Sequence, residues 1–197
     1  MSLPSASPHV APVEQRLAAI EAILDERGLT ANNVVAELEH LAQEEWLPQN
    51  GARVVAKAWV DPEFRARLLA DGRAAVAELG LAMPRHHRHL VVLENTPTVQ
   101  NVICCTLCSC TAFTIVGLPP DWYKDLEYRA RVVRQSRTVL REMGLDLPPE
   151  VEIRVWDTTA DTRYMVLPVR PPATVGWAEA ELAGIVTRDS MIGVARL

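Results

Sequence analysis

All four cysteines of this 197-residue chain lie between positions 104 and 110. Three of them, Cys105, Cys108 and Cys110, form a C-x-x-C-x-C motif, which requires three thiols to converge within one turn of chain. No cysteine elsewhere can pair with them, and so short a span cannot join separate elements through disulfides. The clustering therefore indicates a role other than stabilising the fold.

Three thiolates at this spacing can bind one metal ion. The backbone amides of Ser109 and Cys110 lie between the last two sulfur atoms, so they are candidates for two further ligands. A planar or tetragonal set of nitrogen and sulfur donors suits a transition ion other than zinc, which prefers a tetrahedron. Ionised amides require a strongly Lewis-acidic, trivalent ion, and five ligands leave a sixth position for substrate. The motif therefore predicts a catalytic metal centre.

Three other interpretations of the motif remain open from the residues alone. A structural zinc site would take its fourth ligand from His86, His87 or His89. A redox-active C-x-x-C pair is a second alternative, although thioredoxin-like motifs open a helix and lack a third thiol. Unliganded core cysteines are the third. That interpretation suits Cys104, which lies outside the motif spacing and ends a run that predicts a strand.

Several further segments extend the motif. They are residues 117–120, 122–124, 128–134, 152–157, 162–164 and 185–193. Together with C-T-L-C-S-C, which is highly specific, these segments resemble the alpha subunit of nitrile hydratase, with weaker similarity in the N-terminal helices. The resemblance implies an α+β fold in which an extended helical arm precedes a layered α/β globular domain. We expect a disordered tail over residues 1–12, the arm over 13–84 and the metal-binding domain over 85–197.

The resemblance also implies roles for the metal loop, defined as residues 105–110. Cys105, Cys108 and Cys110 would bind non-corrin Co(III) together with the amide nitrogens of Ser109 and Cys110. Thr106 is the mark of the cobalt type, so Fe(III) is less favoured. Cys108 is expected as the sulfinate and Cys110 as the sulfenate, which makes these two the predicted catalytic residues. The ion would polarise a nitrile for attack by water or by the Cys110 sulfenate oxygen, and the product would be the amide.

Two segments depart from the family pattern. Familiar members continue the motif as C-x-x-W-P, whereas this chain continues with Thr111-Ala112-Phe113-Thr114. Phenylalanine shrinks one wall of the expected pocket, so we expect a different substrate shape, as in members that process the nitrile of a nucleoside antibiotic such as toyocamycin. Familiar members have a polar position near the pocket in the region of residues 85–89, where this chain has Arg-His-His-Arg-His. For this segment we favour a solvated basic turn over an arrangement in which His86 faces the substrate.

Two alternative functions remain beside nitrile hydration. The metal subunit of thiocyanate hydrolase shares the cysteine motif but releases carbonyl sulfide and ammonia. A non-catalytic zinc or redox module is the other alternative. The implied partners of a nitrile hydratase chain are a beta-type subunit embraced by the helical arm, a cobalt-loading accessory protein and a small nitrile.

Composition excludes several classes of protein. A net charge of −5 and a pI near 5.6 provide no basic field for nucleic acid. Residues 1–12 lack the basic and apolar regions of a signal peptide, and no apolar run is long enough to cross a bilayer. We therefore expect a soluble, cytoplasmic protein without a membrane partner.

Apolar periodicity places the motif among predicted helices and strands. We predict helices over 13–27, 30–46 and 52–60, a helix that begins at Asp61-Pro62 and ends at Gly80, strands at 90–93 and 98–103, a helix over 123–143, a strand at 151–156 paired with 164–169, and a helix over 178–187. Trp46 and Trp59 are predicted to fill the core. We also hypothesise that Arg129 or Arg134 contacts the oxygenated sulfur atoms, because a guanidinium suits such anions.

Overall fold

The chain divides into two compact units. The computed structural model describes residues 11–197. The first unit ends at Leu41 and the second is Ala42–Leu197, whereas the sequence prediction placed a boundary at residue 84. The division falls earlier because the helices between residues 48 and 78 share an apolar core with the strands. The expected tail over residues 1–12 lies almost entirely outside the described residues.

The described part of the first unit consists of α1 (Val13–Glu26) and α2 (Ala31–His40). Gly28 follows α1 with φ +68°, as expected for the predicted stop. Thr30 caps α2 by accepting a hydrogen bond from the Asn33 N–H at 3.1 Å. Neither helix contains a buried residue. The predicted apolar stripe is therefore exposed in this chain, and α2 continues into a π-helical turn over Leu41–Glu45.

Three helices open the second unit: α3 (Pro48–Val60), α4 (Pro62–Ala70) and α5 (Gly72–Glu78). Asp61 caps α4, as predicted, by accepting from the Phe64 N–H at 2.9 Å. The prediction of one helix from Asp61 to Gly80 is wrong. Asp71 accepts from the Ala74 N–H at 3.0 Å and so begins a new helix. The predicted helix at 52–60 begins earlier, at Pro48, because proline is well suited to the first helical position.

Within residues 11–197, four strands form two parallel pairs. They are β1 (His89–Glu94), β2 (Val99–Cys104), β3 (Glu152–Asp157) and β4 (Thr162–Leu167). β1 pairs with β4, and β2 pairs with β3. The predicted pairing of residues 151–156 with 164–169 is wrong, since each of these strands pairs with a strand from an earlier part of the chain. In the β2–β3 register Cys104 lies opposite Asp157, so both strands end at the metal loop.

Further helices complete the second unit. They are α6 (Phe113–Val116), α7 (Asp121–Lys124), α8 (Leu126–Glu142), α9 (Glu179–Ile185) and α10 (Arg188–Ile192). The helix predicted over 123–143 is divided, because Asp125 accepts from the Tyr128 N–H at 2.9 Å and caps α8. A capping box of Thr187 and Ser190 begins α10. No helix in the described part of the chain is long and apolar enough to span a bilayer.

Two apolar clusters hold these elements together. The first joins α3–α6 to β1 and β4, and includes Val54, Phe64 and Met165. The second joins β2 and β3 to α7 and α8. Trp59 packs on the first cluster and donates from Nε1 to the Pro168 carbonyl at 2.9 Å, as expected for core filling. Cys104 and Cys105 belong to the second cluster, so the metal loop begins inside the core.

Candidate metal centre

The three cysteines of the motif converge on one point. The Sγ atoms of Cys105 and Cys108 lie 3.3 Å apart, and those of Cys108 and Cys110 lie 2.8 Å apart. All three Sγ atoms lie within 4.8 Å of one another. These separations exceed the bond length of about 2.05 Å in a disulfide, and all three thiols are free. The structure therefore brings together the three predicted sulfur ligands.

The donor set consists of three sulfur atoms, which suit a transition ion. Among the described residues, no histidine, aspartate or glutamate joins the three sulfur atoms. A structural zinc site, which takes four protein ligands, thus lacks its fourth ligand. Cys105 is buried, Cys110 is half-buried and Cys108 is exposed, so the cluster opens from the core towards the surface. This arrangement leaves one side of the sulfur cluster accessible to a small molecule.

Hydrogen bonds favour the thiolate form of the first cysteine. Burial raises the pKa of Cys105, but hydrogen bonds from the Thr158 hydroxyl and from the N–H groups of Cys108 and Cys110 outweigh burial and lower it to about 7. The Cys108 N–H lies 3.3 Å from the Cys105 Sγ. Burial, followed by the hydrogen bond with Cys108, raises the pKa of Cys110 to about 11. Cys105 is therefore better prepared than Cys110 to bind a metal, which requires the thiolate.

Cys104 is a core thiol, as predicted. Its side chain is fully buried in the second apolar cluster. Burial and the neighbouring Asp157 carboxylate raise its pKa to about 12. A thiol that remains neutral and points into the core is unsuited to metal binding.

Side chains from three elements hold the backbone of the metal loop. Asp157, at the end of β3, accepts from the Thr106 N–H at 2.9 Å and from the Thr106 hydroxyl. Arg129, on α8, donates to the carbonyls of Cys105 and Thr106, each at 3.0 Å. The buried Tyr123 hydroxyl on α7 donates to the Cys110 carbonyl at 3.2 Å. Sequence analysis did not identify Asp157 or Tyr123 as supports of the loop, because both lie outside the motif.

The hypothesis about Arg129 and Arg134 needs correction. The Nε and Nη2 groups of Arg129 donate to backbone carbonyls of the loop, so in this structure they support the loop backbone instead of the sulfur atoms. Arg134 is exposed on α8. Both line an open groove beside Thr106. No hydrogen bond joins either arginine to a cysteine sulfur in the described part of the chain.

Aromatic rings form a wall just after the loop. The His87 ring packs edge-on against Phe113 with centroids 5.3 Å apart, and Phe113 packs against Trp46 at 4.7 Å. Burial, assisted by Arg163, His86 and Arg73, lowers the pKa of His87 to about 4. The prediction of a solvated basic turn is thus wrong for His87, which is 2% exposed. It holds for the other basic residues of the segment, which are exposed: Arg85, His86, Arg88 and His89.

A family model described as "Nitrile hydratase, alpha chain" matches residues 11–195. The chain belongs to the nitrile hydratase alpha chain family. It is 49% identical over 183 residues to the low-molecular weight cobalt-containing nitrile hydratase subunit alpha of Rhodococcus rhodochrous, covering 93% of this chain and 88% of that protein. The alpha subunit of a cobalt-containing nitrile hydratase from Pseudonocardia thermophila is 46% identical, with 92% of this chain and 89% of that protein covered.

Solved structures agree with this assignment. A double mutant of the Fe-type nitrile hydratase from Comamonas testosteroni Ni1 is 60% identical, with a TM-score of 0.85 over 93% of this chain and 89% of that one. A recombinant thiocyanate hydrolase comprising partially modified cobalt centres is 42% identical, with a TM-score of 0.77 over 95% and 90%. The predicted α+β alpha-chain fold is confirmed, and so is the assignment to nitrile hydratase, an enzyme class that hydrates nitriles to amides.

Proposed function

We propose that this chain is the catalytic subunit of a cobalt nitrile hydratase, with trivalent cobalt bound by Cys105, Cys108 and Cys110 and by the amide nitrogens of Ser109 and Cys110. The observation that carries the proposal is the convergence of three thiol sulfurs within 4.8 Å on a loop that is open on one side. Thr106 and the cobalt-containing relatives support cobalt. The Fe-type relative supports iron, so metal analysis must separate the two ions.

The ion would supply Lewis acidity that makes the nitrile carbon electrophilic. The chain itself supplies the rigid donors: Cys105 is anchored in the core, and the Cys110 carbonyl accepts a hydrogen bond from the Tyr123 hydroxyl. Cys108 as a sulfinate and Cys110 as a sulfenate would withdraw electron density from the site. The Cys110 sulfenate oxygen would attack the nitrile carbon or take a proton from the attacking water. Net addition of one water across the C≡N bond gives the amide.

A partner subunit completes the site in this proposal. Apolar side chains on α1 are largely exposed, with Val13 63%, Leu17 54% and Ile20 55% accessible. Beside the metal loop, Leu107 is 87% and Leu126 74% exposed. Apolar surface of this kind marks an interface in a folded protein. We propose that a beta-type subunit covers both regions and that a cobalt-loading accessory protein delivers the ion.

Phe113 provides the argument about substrate shape. Its ring lies between Trp46 and His87, in the segment that follows the metal loop. A phenylalanine there occupies less volume than the tryptophan of the familiar pattern, so we propose that the pocket admits a bulkier nitrile, such as a nucleoside nitrile. Thiocyanate is the alternative substrate, because thiocyanate hydrolase subunit gamma of Thiobacillus thioparus is 48% identical over 75% of this chain and 65% of that protein.

The test is coexpression with a beta-type subunit in cobalt-supplemented medium. We expect about one cobalt per chain, a peptide over residues 105–110 that carries two extra oxygen atoms on Cys108 and one on Cys110, and amide as the product. Cys105→Ala should abolish cobalt binding and amide formation, whereas Cys104→Ala, the matched control, should retain both. Retained cobalt and activity in Cys105→Ala, or stoichiometric zinc with unmodified thiols, would refute the proposal. Bound iron would reassign the ion, and carbonyl sulfide would reassign the substrate.

A further inference from the structure

Two charged side chains hold opposite ends of one peptide group in the metal loop. The Cys105 carbonyl and the Thr106 N–H belong to the same peptide group. Arg129 donates from Nε to that carbonyl at 3.0 Å, and Asp157 accepts from that N–H at 2.9 Å. A trans peptide group is planar, and its C=O and N–H point in opposite directions. Fixing both ends therefore fixes the rotation of this plane about the chain.

Each side chain also makes a second contact with the loop. The Arg129 Nη2 donates to the Thr106 carbonyl at 3.0 Å, so one guanidinium bridges two successive carbonyls. The second carboxylate oxygen of Asp157 accepts from the Thr106 hydroxyl. A guanidinium presents its donors in a rigid, planar fork, which a lysine ammonium cannot reproduce. The two contacts on each side restrict both the peptide plane and the residue that follows it.

The two side chains come from different elements. Asp157 ends β3, opposite Cys104 in the β2–β3 register. Arg129 lies in the first part of α8, whose other face packs in the second apolar cluster through Tyr128 and Val132. Arg129 touches no cysteine sulfur, and its effect on the sulfur cluster passes through the backbone. The direction in which the chain leaves Cys105 determines whether the sulfur atoms of Cys108 and Cys110 can lie close to the Cys105 sulfur.

We propose that Arg129 is a positioning residue for the metal centre and that it acts together with Asp157 on the peptide group between Cys105 and Thr106. This inference rests on the proposed metal site for its functional consequence, but the restraint on the peptide group exists without metal. Supporting groups around a metal site typically change metal affinity or activity by about 10- to 100-fold when removed. We expect an effect of this size in cobalt loading, and a decrease in kcat with little change in KM.

The first measurement needs no metal. Hydrogen exchange of the Thr106 N–H, followed by NMR on the metal-free full-length chain, should be about 10-fold faster in Arg129→Gln, because the peptide group is then held at one end only. Arg129→Lys, which retains the charge and is the milder change, should show most of this increase. The matched control is Arg134→Gln, on the same helix and beside the same groove. Equal exchange rates in Arg129→Gln and Arg134→Gln would overturn the inference.

The second measurement uses the assembly with its beta-type subunit. Arg129→Gln should lower cobalt per chain and kcat by about 10-fold relative to Arg134→Gln. In a double-mutant cycle, Arg129→Gln and Asp157→Asn should be non-additive, because both act on one peptide group. Additive losses would show that Arg129 only stabilises α8, and would overturn the inference. If the wild-type assembly binds neither cobalt nor iron, the proposed function fails, while the exchange result still decides the restraint on the loop.

Discussion

Gly193 is the backbone position at which a single added methyl group should be most damaging. It ends α10 in the left-handed region, with φ +94° and ψ 15°. A Cβ added there would lie 1.9 Å from the Asn101 carbonyl oxygen and 3.1 Å from the Val102 Cα. Both contacts belong to β2, the strand that leads into the metal loop. Backbone atoms cannot rotate away as a side chain can, so the strand or the end of the helix must move.

The cost of Gly193→Ala has two parts. Left-handed backbone in a residue with a Cβ costs about 1–2 kcal/mol. Forcing extra volume into a packed interior adds about 1–3 kcal/mol. We therefore expect a loss of about 2–5 kcal/mol in the free energy of unfolding. Gly144 separates the two parts, because it has nearly the same φ, +93°, but nothing lies within 4 Å of an added Cβ. Gly144→Ala should cost only the backbone part.

Urea unfolding of the full-length chain measures both free energies. Gly193→Ala should lose at least about 1 kcal/mol more than Gly144→Ala. Equal losses would mean that β2 accommodates the added methyl group without strain, and the argument from close approach would then be incorrect. An unchanged free energy of unfolding in both variants would refute the backbone argument as well.

Three smaller perturbations test other contacts. Burial lowers the pKa of His87 to about 4 in the folded chain, so only the unfolded chain gains a proton at this residue as the pH falls from about 6.5 to about 4. The free energy of unfolding should therefore decrease over that range by up to about 3 kcal/mol. Urea titrations should show a weaker decrease in His87→Gln, whereas His40→Gln should behave as the wild type does. Trp59→Phe removes the hydrogen bond to the Pro168 carbonyl and should cost about 1 kcal/mol, measured by thermal unfolding. Cys104→Ala leaves a small cavity and should cost about 1 kcal/mol with cobalt content unchanged, as metal analysis would show.

Local chemistry explains which elements could be predicted from the sequence. Asp61 followed by Pro62 marks a helix start, and Gly28 marks a helix end, because caps depend only on neighbouring residues. The breaks at Asp71 and Asp125 rest on the same chemistry, but a continuous apolar period on both sides concealed them. The alternating pattern in residues 151–156 indicates a strand and carries no information about its partner. The parallel pairing of β3 with β2 could therefore not be predicted from the sequence.

The same distinction applies to the metal centre. The three cysteines were predictable because their convergence depends on spacing within a single loop. Asp157 was not, and the contacts of Arg129 with the loop carbonyls were not, because they depend on how β3 and α8 pack around that loop. His87 appeared solvated because charged and polar residues surround it in the sequence. Its burial results from packing against Phe113, a contact that only the tertiary fold supplies.

The register between β2 and β3 therefore determines the position of Asp157 beside the metal loop as well as the pairing of the strands. Cys104 lies opposite Asp157, and the next residue after Cys104 begins the metal loop. A slip of one residue would reverse the faces of β3 and place Trp156 where the carboxylate now accepts from Thr106. Every residue of β2 after Val99 is buried, so the surrounding core specifies this register strongly. Packing of the apolar core around β2 and β3 thus fixes the orientation of the peptide group from which the three cysteines converge.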